Sequence, residues 1–327
     1  MLQNKKILIT GGAGFIGSNL TEHFLRLNNQ VICLDNFATG KEENIRPFLQ
    51  NENYRLITGD IRDMETCHIA VDGADVVLHQ AAMGSVPRSI KDPKTTNDVN
   101  ISGFINMLIA AKEAGIKRFV YAASSSTYGD STALPKVEEK IGNPLSPYAV
   151  TKYVNELYAG VFSDLYGIET IGLRYFNVFG RRQDPEGAYA AAIPKFIRLL
   201  MKYESPVIYG DGNQSRDFTY IENVIQANEL AAETDNPEAV NTVYNIAFGE
   251  ATKVNDLVES LKKYLSQFDS KIANIKPIHT DIRKGDILHS LASIEKARRL
   301  LGYNPRYSLE SGLKEAIRWY WENLKEG

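Results

Sequence analysis

An α/β fold, with a doubly wound parallel sheet and a smaller C-terminal α/β lobe, is what three observations predict. Short apolar runs alternate with helical patterns through the first 176 residues. Those runs are continuous rather than alternating, as expected of strands covered on both faces. Beyond residue 176 the rhythm loosens and turn residues multiply, as in Tyr209-Gly210-Asp211-Gly212-Asn213. Strand–helix alternation implies right-handed crossovers and therefore parallel strands.

Strands are expected at Lys6–Thr10, Gln30–Asp35, Tyr54–Thr58, Asp75–His79, Arg118–Ala123 and Thr170–Tyr175. Helices are expected between them at Phe15–Leu27, Val99–Ala114 and Pro147–Tyr166, the last opened by Ser146 as cap and Pro147 at the first helical position. Later helical patterns cover Val254–Leu265, Ile294–Leu301 and Leu313–Leu324, where Trp319, Tyr320 and Trp321 read as packing residues. The division expected is 1–176 and 177–327, with part of 218–247, notably Val243–Ala247, returning to the main sheet.

Bulk properties exclude some classes. The chain of 327 residues is 43% hydrophobic and 24% charged, as in soluble globular proteins. A net charge of −3 gives no reason to expect a nucleic-acid or membrane partner. Lys5-Lys6 lead straight into a strand without a signal-peptide pattern, and no apolar run approaches the ~18 residues of a membrane span. Cys33 and Cys67 read as reduced thiols, so a cytoplasmic protein is expected.

The turn Thr10-Gly11-Gly12-Ala13-Gly14-Phe15-Ile16-Gly17 follows the first strand and opens the first helix, the context of a Rossmann-type dinucleotide site. Gly11 suits a tight turn, Gly14 a close approach by pyrophosphate, and Gly17 close helix–strand packing. The helix N-terminus offers free N–H groups to phosphate. Asp35 stands 18 residues after Gly17 and can accept from ribose hydroxyls. Asn36 and Phe37 follow it rather than arginine, which favours NAD over NADP. Gly40, in the same loop, is assigned to the same ligand. Asp60-Ile61 closes the third strand, where Asp60 reads equally as a helix cap or, with Ile61, as a border of the adenine.

Ser146-Pro147-Tyr148-Ala149-Val150-Thr151-Lys152 puts Tyr148 and Lys152 four apart on one helical face. A free phenol, with pKa about 10, is too weakly acidic to be a good base precursor at neutral pH. A neighbouring ammonium and a nicotinamide ring would both stabilise phenolate. Ser124-Ser125-Ser126, at the end of the fifth strand, reads either as a solvated turn or as a row of hydroxyls facing a cleft.

The glycine turn and the Tyr-x-x-x-Lys pair together resemble the extended short-chain dehydrogenase/reductase family. Counting from Tyr128-Gly129, the resemblance places the family's hydroxyl residue at Ser124, beside Tyr148 and Lys152 in catalysis, and turns the serines toward substrate. Ser125 and Ser126 stand where the family's dehydratases carry Asp and Glu, which argues against dehydration. Further segments resemble nucleotide-sugar 4-epimerases, most of all UDP-N-acetylglucosamine C4-epimerases of surface-polysaccharide synthesis. His79-Gln80-Ala81-Ala82 resembles the stretch beside nicotinamide and ribose, giving Gln80, Ala81 and Ala82 to the cofactor. Gly84-Ser85-Val86-Pro87-Arg88-Ser89 follows where the sugar would lie, with Gly84 and Ser85 as contacts.

In Arg174–Gly180 the resemblance implies substrate contact by Asn177 and nicotinamide contact by Val178. Arg181-Arg182-Gln183 departs from the usual Gly-Pro-Arg order and carries no assigned role. Tyr189–Pro194 and the strand bearing Val207 and Tyr209 resemble uridine-facing segments. Arg216 and Arg283 match positions that grip the diphosphate, which guanidinium pairs with in bidentate fashion, and Asp286, in the run Arg283-Lys284-Gly285-Asp286, is assigned to substrate. Ser290 matches a gatekeeping position where a small residue admits a 2-acetamido group, and His289 reads as a packing or surface residue. The resemblance thus implies NAD-dependent C4 epimerisation of UDP-N-acetylglucosamine to UDP-N-acetylgalactosamine by a homodimer. The alternatives are C4 epimerisation of UDP-N-acetylglucosaminuronic acid, with Arg88 facing the carboxylate, or a non-catalytic NAD-binding sensor.

Overall fold

The computed structural model describes residues 2–186, 191–281 and 288–324. Its main sheet holds β1 (Lys6–Thr10), β2 (Gln30–Asp35), β3 (Tyr54–Thr58), β4 (Val76–His79), β5 (Arg118–Ser124), β6 (Glu169–Tyr175) and a return strand, Thr242–Ile246. From one edge the order is return strand, β6, β5, β4, β1, β2, β3, with every neighbour parallel. The chain steps outward from β1 to β3 and then starts again on the other side at β4. Such a reversal opens a crevice beyond the carboxyl ends of β1 and β4. Thr10 and His79 end those two strands in register, and Thr10 Oγ1 lies 3.0 Å from His79 Nδ1.

Alternate side chains of the strands feed opposite cores. Ile7, Ile9, Val31, Val120 and Leu173 join Leu20 and Phe24 on one face. Leu8, Ile32, Val77 and Phe119 join Phe104 and Leu108 on the other. Both faces are apolar because both are covered, which is why the strands show no polar alternation.

The helix Pro147–Tyr166 is capped by Ser146 Oγ, which accepts from Ala149 N–H at 3.1 Å, and stops at Gly167 in the left-handed region (φ 70°). Elsewhere the structure differs from expectation in instructive ways. The stretch expected as one helix from Val99 begins as a wider π-helical turn, Asp98–Gly103, before the α-helix Phe104–Glu113. That turn carries Asn100, whose side-chain amide donates to Thr151 Oγ1 at 3.0 Å. The last helix starts four residues before the expected Leu313, at Leu309, because Ser308 Oγ caps it by accepting from Ser311 N–H. The helices Ala192–Met201 and Ile221–Glu233 went unread. The first begins close to Pro194, and the second follows a two-residue strand without any side-chain cap.

The smaller lobe is built from short strand pairs. Ser215–Asp217 lies antiparallel to Ala251–Lys253, and Val207–Tyr209 parallel to Ile278–Thr280. The helices Ala192–Met201 and Val254–Leu265 pack together beside them. Tyr320 is fully buried and its hydroxyl donates to the carbonyls of Gly180 and Gln183, tying the last helix to the loop after β6. Among the described residues no helix is long and apolar enough to cross a membrane.

Candidate active site

The crevice at the reversal point is a cleft of about 840 Å³. Gly11, Gly14, Phe15, Ile16 and Gly17 form its floor, with Asp35, Asn36, Gly40, Asp60 and Ile61 at one end. Gln80, Ala81, Ala82, Gly84, Ser85, Ser124, Tyr148, Lys152, Asn177 and Val178 complete the walls. The glycine turn is tight. Gly11 has φ 67°, and a Cβ on Gly17 would lie 2.1 Å from the Gly11 carbonyl oxygen. On Gly14 a Cβ would meet only that oxygen, at 3.1 Å, and otherwise project into the cleft. The backbone therefore supplies the close, side-chain-free approach that a pyrophosphate requires.

Asp35 is buried, and its carboxylate accepts from Ala13 N–H at 2.9 Å and Phe37 N–H at 2.8 Å. Burial pushes its pKa up, partly offset by those N–H donors. Each oxygen keeps a lone pair for a ribose hydroxyl. Asp60 is not the helix cap. Asp63 fills that place, accepting from Glu65 and Thr66 N–H, while Asp60 accepts from Arg62 N–H and receives Arg62's guanidinium at 3.0 and 2.7 Å. Hydrogen bonding from Arg62, foremost, holds the Asp60 carboxyl down at about 2. Arg62 therefore stands in the cleft already paired, no free cation for a 2′-phosphate. Asn36 joins the pair by donating to Asp60 at 2.7 Å.

At the other end, the serine row resolves unequally. Ser124 lines the cleft, but Ser125 and Ser126 line neither cavity described here and instead open a short 3₁₀ turn. The turn folds Ser126 back, so that its N–H and its hydroxyl both donate to Ser124 Oγ, at 3.1 and 2.9 Å. A hydroxyl has two acceptor sites and one proton. With both acceptor sites filled, the Ser124 proton is left to donate outward, into the cleft that Tyr148 also lines. Burial raises the phenol pKa, and the Ser124 hydroxyl lowers it. Lys152 is 3% exposed, and its ammonium donates to the Ala122 carbonyl at 2.8 Å. Burial draws its pKa down to about 8, opposed by the charge of Glu156.

A second cavity of about 300 Å³ adjoins the first. Val207, Tyr209 and Arg216 line it, and Asn177, Val178 and Ala191 wall both cavities. Asn177 (φ 35°) donates its amide to the Asp217 carbonyl at 2.9 Å. Arg216 donates to the carbonyls of Ser215 and Leu288. Ser290 lies beside this strand, its N–H donating to the Ser215 carbonyl at 3.1 Å, but it lines neither cavity. His289 Nδ1 is 3.0 Å from Ser215 Oγ. Arg283, Asp286 and Tyr189 lie outside the described residues.

Three further ion pairs escaped the sequence reading. Lys41 bridges to Asp184 at 3.1 Å across the mouth of the first cleft. Arg181 and Arg182, left without a role above, both pair with Glu22 on the helix Phe15–Arg26, at 3.1 and 2.9 Å. No local pattern could announce contacts between residues more than 140 positions apart.

Comparison with known proteins bears on this geometry. Residues 7–247 match the NAD dependent epimerase/dehydratase family. The chain belongs to that family. Its cofactor is NAD, which the glycine cradle and Asp35 fit. The chain is 39% identical to a putative UDP-glucose 4-epimerase of Methanocaldococcus jannaschii, over 97% of this chain and 99% of that one. It is 38% identical to a UDP-N-acetylglucosamine 4-epimerase of Methanobrevibacter ruminantium solved with UDP-N-acetylmuramic acid, with TM-score 0.90 and coverage of 98% and 99%. A UDP-glucuronic acid 4-epimerase of Bacillus cereus, solved with UDP-glucuronic acid and NAD, is 32% identical with TM-score 0.87 over 97% and 99%.

Proposed function

We propose that this chain is a UDP-sugar 4-epimerase that interconverts UDP-N-acetylglucosamine and UDP-N-acetylgalactosamine. One observation carries the reading: the Ser124–Tyr148 pair and Lys152 stand in the same cleft as the glycine cradle, and that cleft meets the cavity bearing Arg216 at Asn177 and Val178. A sugar nucleotide with its UDP in the second cavity would bring its hexose to the junction, opposite the phenol. The relatives named above act on or bind UDP-sugars, which supports the same class here.

NAD, when bound, supplies a reversible store for the hydride of C4. Tyr148, as phenolate, accepts the O4 proton as the alcohol becomes a ketone, and returns it when the alcohol reforms. Ser124, both of whose acceptor sites are taken by Ser126, has one proton to donate and gives it to O4 beside the phenol. Lys152 favours the phenolate by its charge. The 4-keto sugar turns about its diphosphate linkage and is reduced on its other face, so UDP must be held firmly and the hexose loosely. Arg216 and the walls of the second cavity serve the first need, and short hydroxyls the second.

The acetamido preference rests on likeness to the Methanobrevibacter enzyme. A homodimer accompanies the reading. Val150, Leu157, Tyr158, Val161 and Leu165 leave an apolar stripe exposed on the helix Pro147–Tyr166, suited to a second copy. Incubating the purified protein, without added NAD, with UDP-N-acetylglucosamine, UDP-glucose and UDP-N-acetylglucosaminuronic acid tests the proposal. The expected result is C4-inverted product, fastest from the neutral acetamido sugar. No turnover of any of the three overturns it, and faster uronate turnover moves the assignment to the acidic sugar.

A further inference from the structure

Tyr148, Lys152 and Glu156 follow one another at intervals of four on one helix, and the mechanism above uses only the first two. Glu156 turns inward, its side chain 8% exposed, to meet Arg174 of β6, which is 3% exposed. The pairing is bidentate, Nε to Oε1 at 2.8 Å and Nη2 to Oε2 at 2.7 Å. Arg174 Nη1 donates onward to the Tyr128 hydroxyl at 3.0 Å and the Glu138 carbonyl at 2.9 Å. Tyr128 donates to Asn245 Oδ1 at 2.6 Å, and Asn245 N–H donates to Glu138 Oε1 at 2.9 Å. The Glu156 carboxylate is therefore fixed in place by a buried, hydrogen-bonded network.

Stability alone does not account for such a pair, because apolar residues of similar volume often serve a core as well or better. Its position does. The pair lies one helical turn beyond Lys152, whose ammonium hydrogen-bonds a neutral carbonyl. We propose that Glu156 is a positioning residue for the base, holding Lys152 as ammonium beneath Tyr148, with Arg174 fixing the carboxylate that does so. This rests on Tyr148 being the base.

The surroundings allow that role. Tyr148 shares the helix, His79 faces Lys152 from β4, Ser124 and Tyr121 belong to β5, and Arg174 to β6. Burial, aided by the Lys152 charge, pulls His79 down to about 3, so it is neutral in the working range. Burial also keeps the Tyr121 phenol protonated. Of these groups and Glu156, only Glu156 is negative, and its charge opposes the burial that would deprotonate Lys152.

The test uses Glu156→Gln and the double variant E156Q/R174Q, which replaces both charges by amides that can still hydrogen-bond. Lys152 titration is read from its side-chain ammonium resonance by NMR, identified by its loss in Lys152→Arg, and the pH–rate profile is recorded beside it. In E156Q the Lys152 midpoint and the alkaline limb of the rate should both move down by about one pH unit, cutting turnover above about pH 8 about tenfold. The double variant should shift in the same direction and less, and it decides the matter if unpaired Arg174 prevents the first from folding. An unmoved midpoint, with rate lost equally at every pH, overturns the proposal by leaving Glu156 a purely structural role. A wild-type chain that shows the shift on mutation yet turns over no UDP-sugar would sink the functional reading alone.

Discussion

The two halves of the molecule reach their precision by different means. The cofactor half rests on one parallel sheet whose backbone ladders run unbroken from the return strand to β3. The substrate half rests on paired strands of three residues each, joined by contacts between distant segments: Ser290 N–H to the Ser215 carbonyl and Asn177 to Asp217. A ladder tolerates side-chain change at its rim, whereas a lobe made of single contacts can be retuned one residue at a time. On the proposed function, chemistry belongs to the first half and selectivity to the second.

Three substitutions sharpen that contrast. The largest effect is expected from Tyr148→Phe, which removes the proposed proton acceptor but leaves the helix and the glycine cradle unchanged. Turnover should fall by about 10²–10⁴-fold while the purified protein keeps its NAD, measured by release on denaturation. Full activity in this variant would break the assignment. Ser290→Tyr should act only in the other half, raising KM for the acetamido sugar about tenfold relative to UDP-glucose and leaving NAD content unchanged. Equal kinetics on both sugars would show that Ser290 does not select the sugar.

The smallest effect concerns the cofactor rim. Asp60 is held at about 2, below the ordinary carboxyl value of 3.8, by Arg62. A carboxyl depressed in the folded state contributes stability that is complete above its unfolded pKa and is lost as pH falls through the folded one. Stability should therefore decline between about pH 4 and pH 2, and Arg62→Ala should shrink that acid-side loss by less than about 1 kcal/mol, read as urea midpoints. A larger change would mean that the rim is less independent of the sheet than its geometry suggests.

What could be read from residues alone follows the same division. Strands β1, β2 and β3, and the helix Pro147–Tyr166, match their expected limits because apolar runs, Ser146-Pro147 and Gly167 mark them locally. That the glycine turn, Asp35, Tyr148 and Lys152 meet in one cleft follows from each sitting at a fixed offset from such an element. Ser126 was misjudged because a 3₁₀ turn, invisible in composition, folds its hydroxyl onto Ser124 rather than toward the cleft. Asp60 was left between two roles, and neither anticipated Arg62 as its partner. The pairing of Arg181 and Arg182 with Glu22 depends on the whole chain returning to its first helix, which no window of sequence contains.

Asn177 and Val178 form a party wall, and that has a price for adaptability. A bulkier residue at either position would intrude on both chambers together, trading any new sugar preference against accommodation of the nicotinamide ligand. Diversification toward other hexoses is therefore channelled to the outer rim, where a change can be private to one tenant. On this architecture, new substrates should arise through residues such as Arg88, which lines only the first cleft, while the shared partition stays as it is.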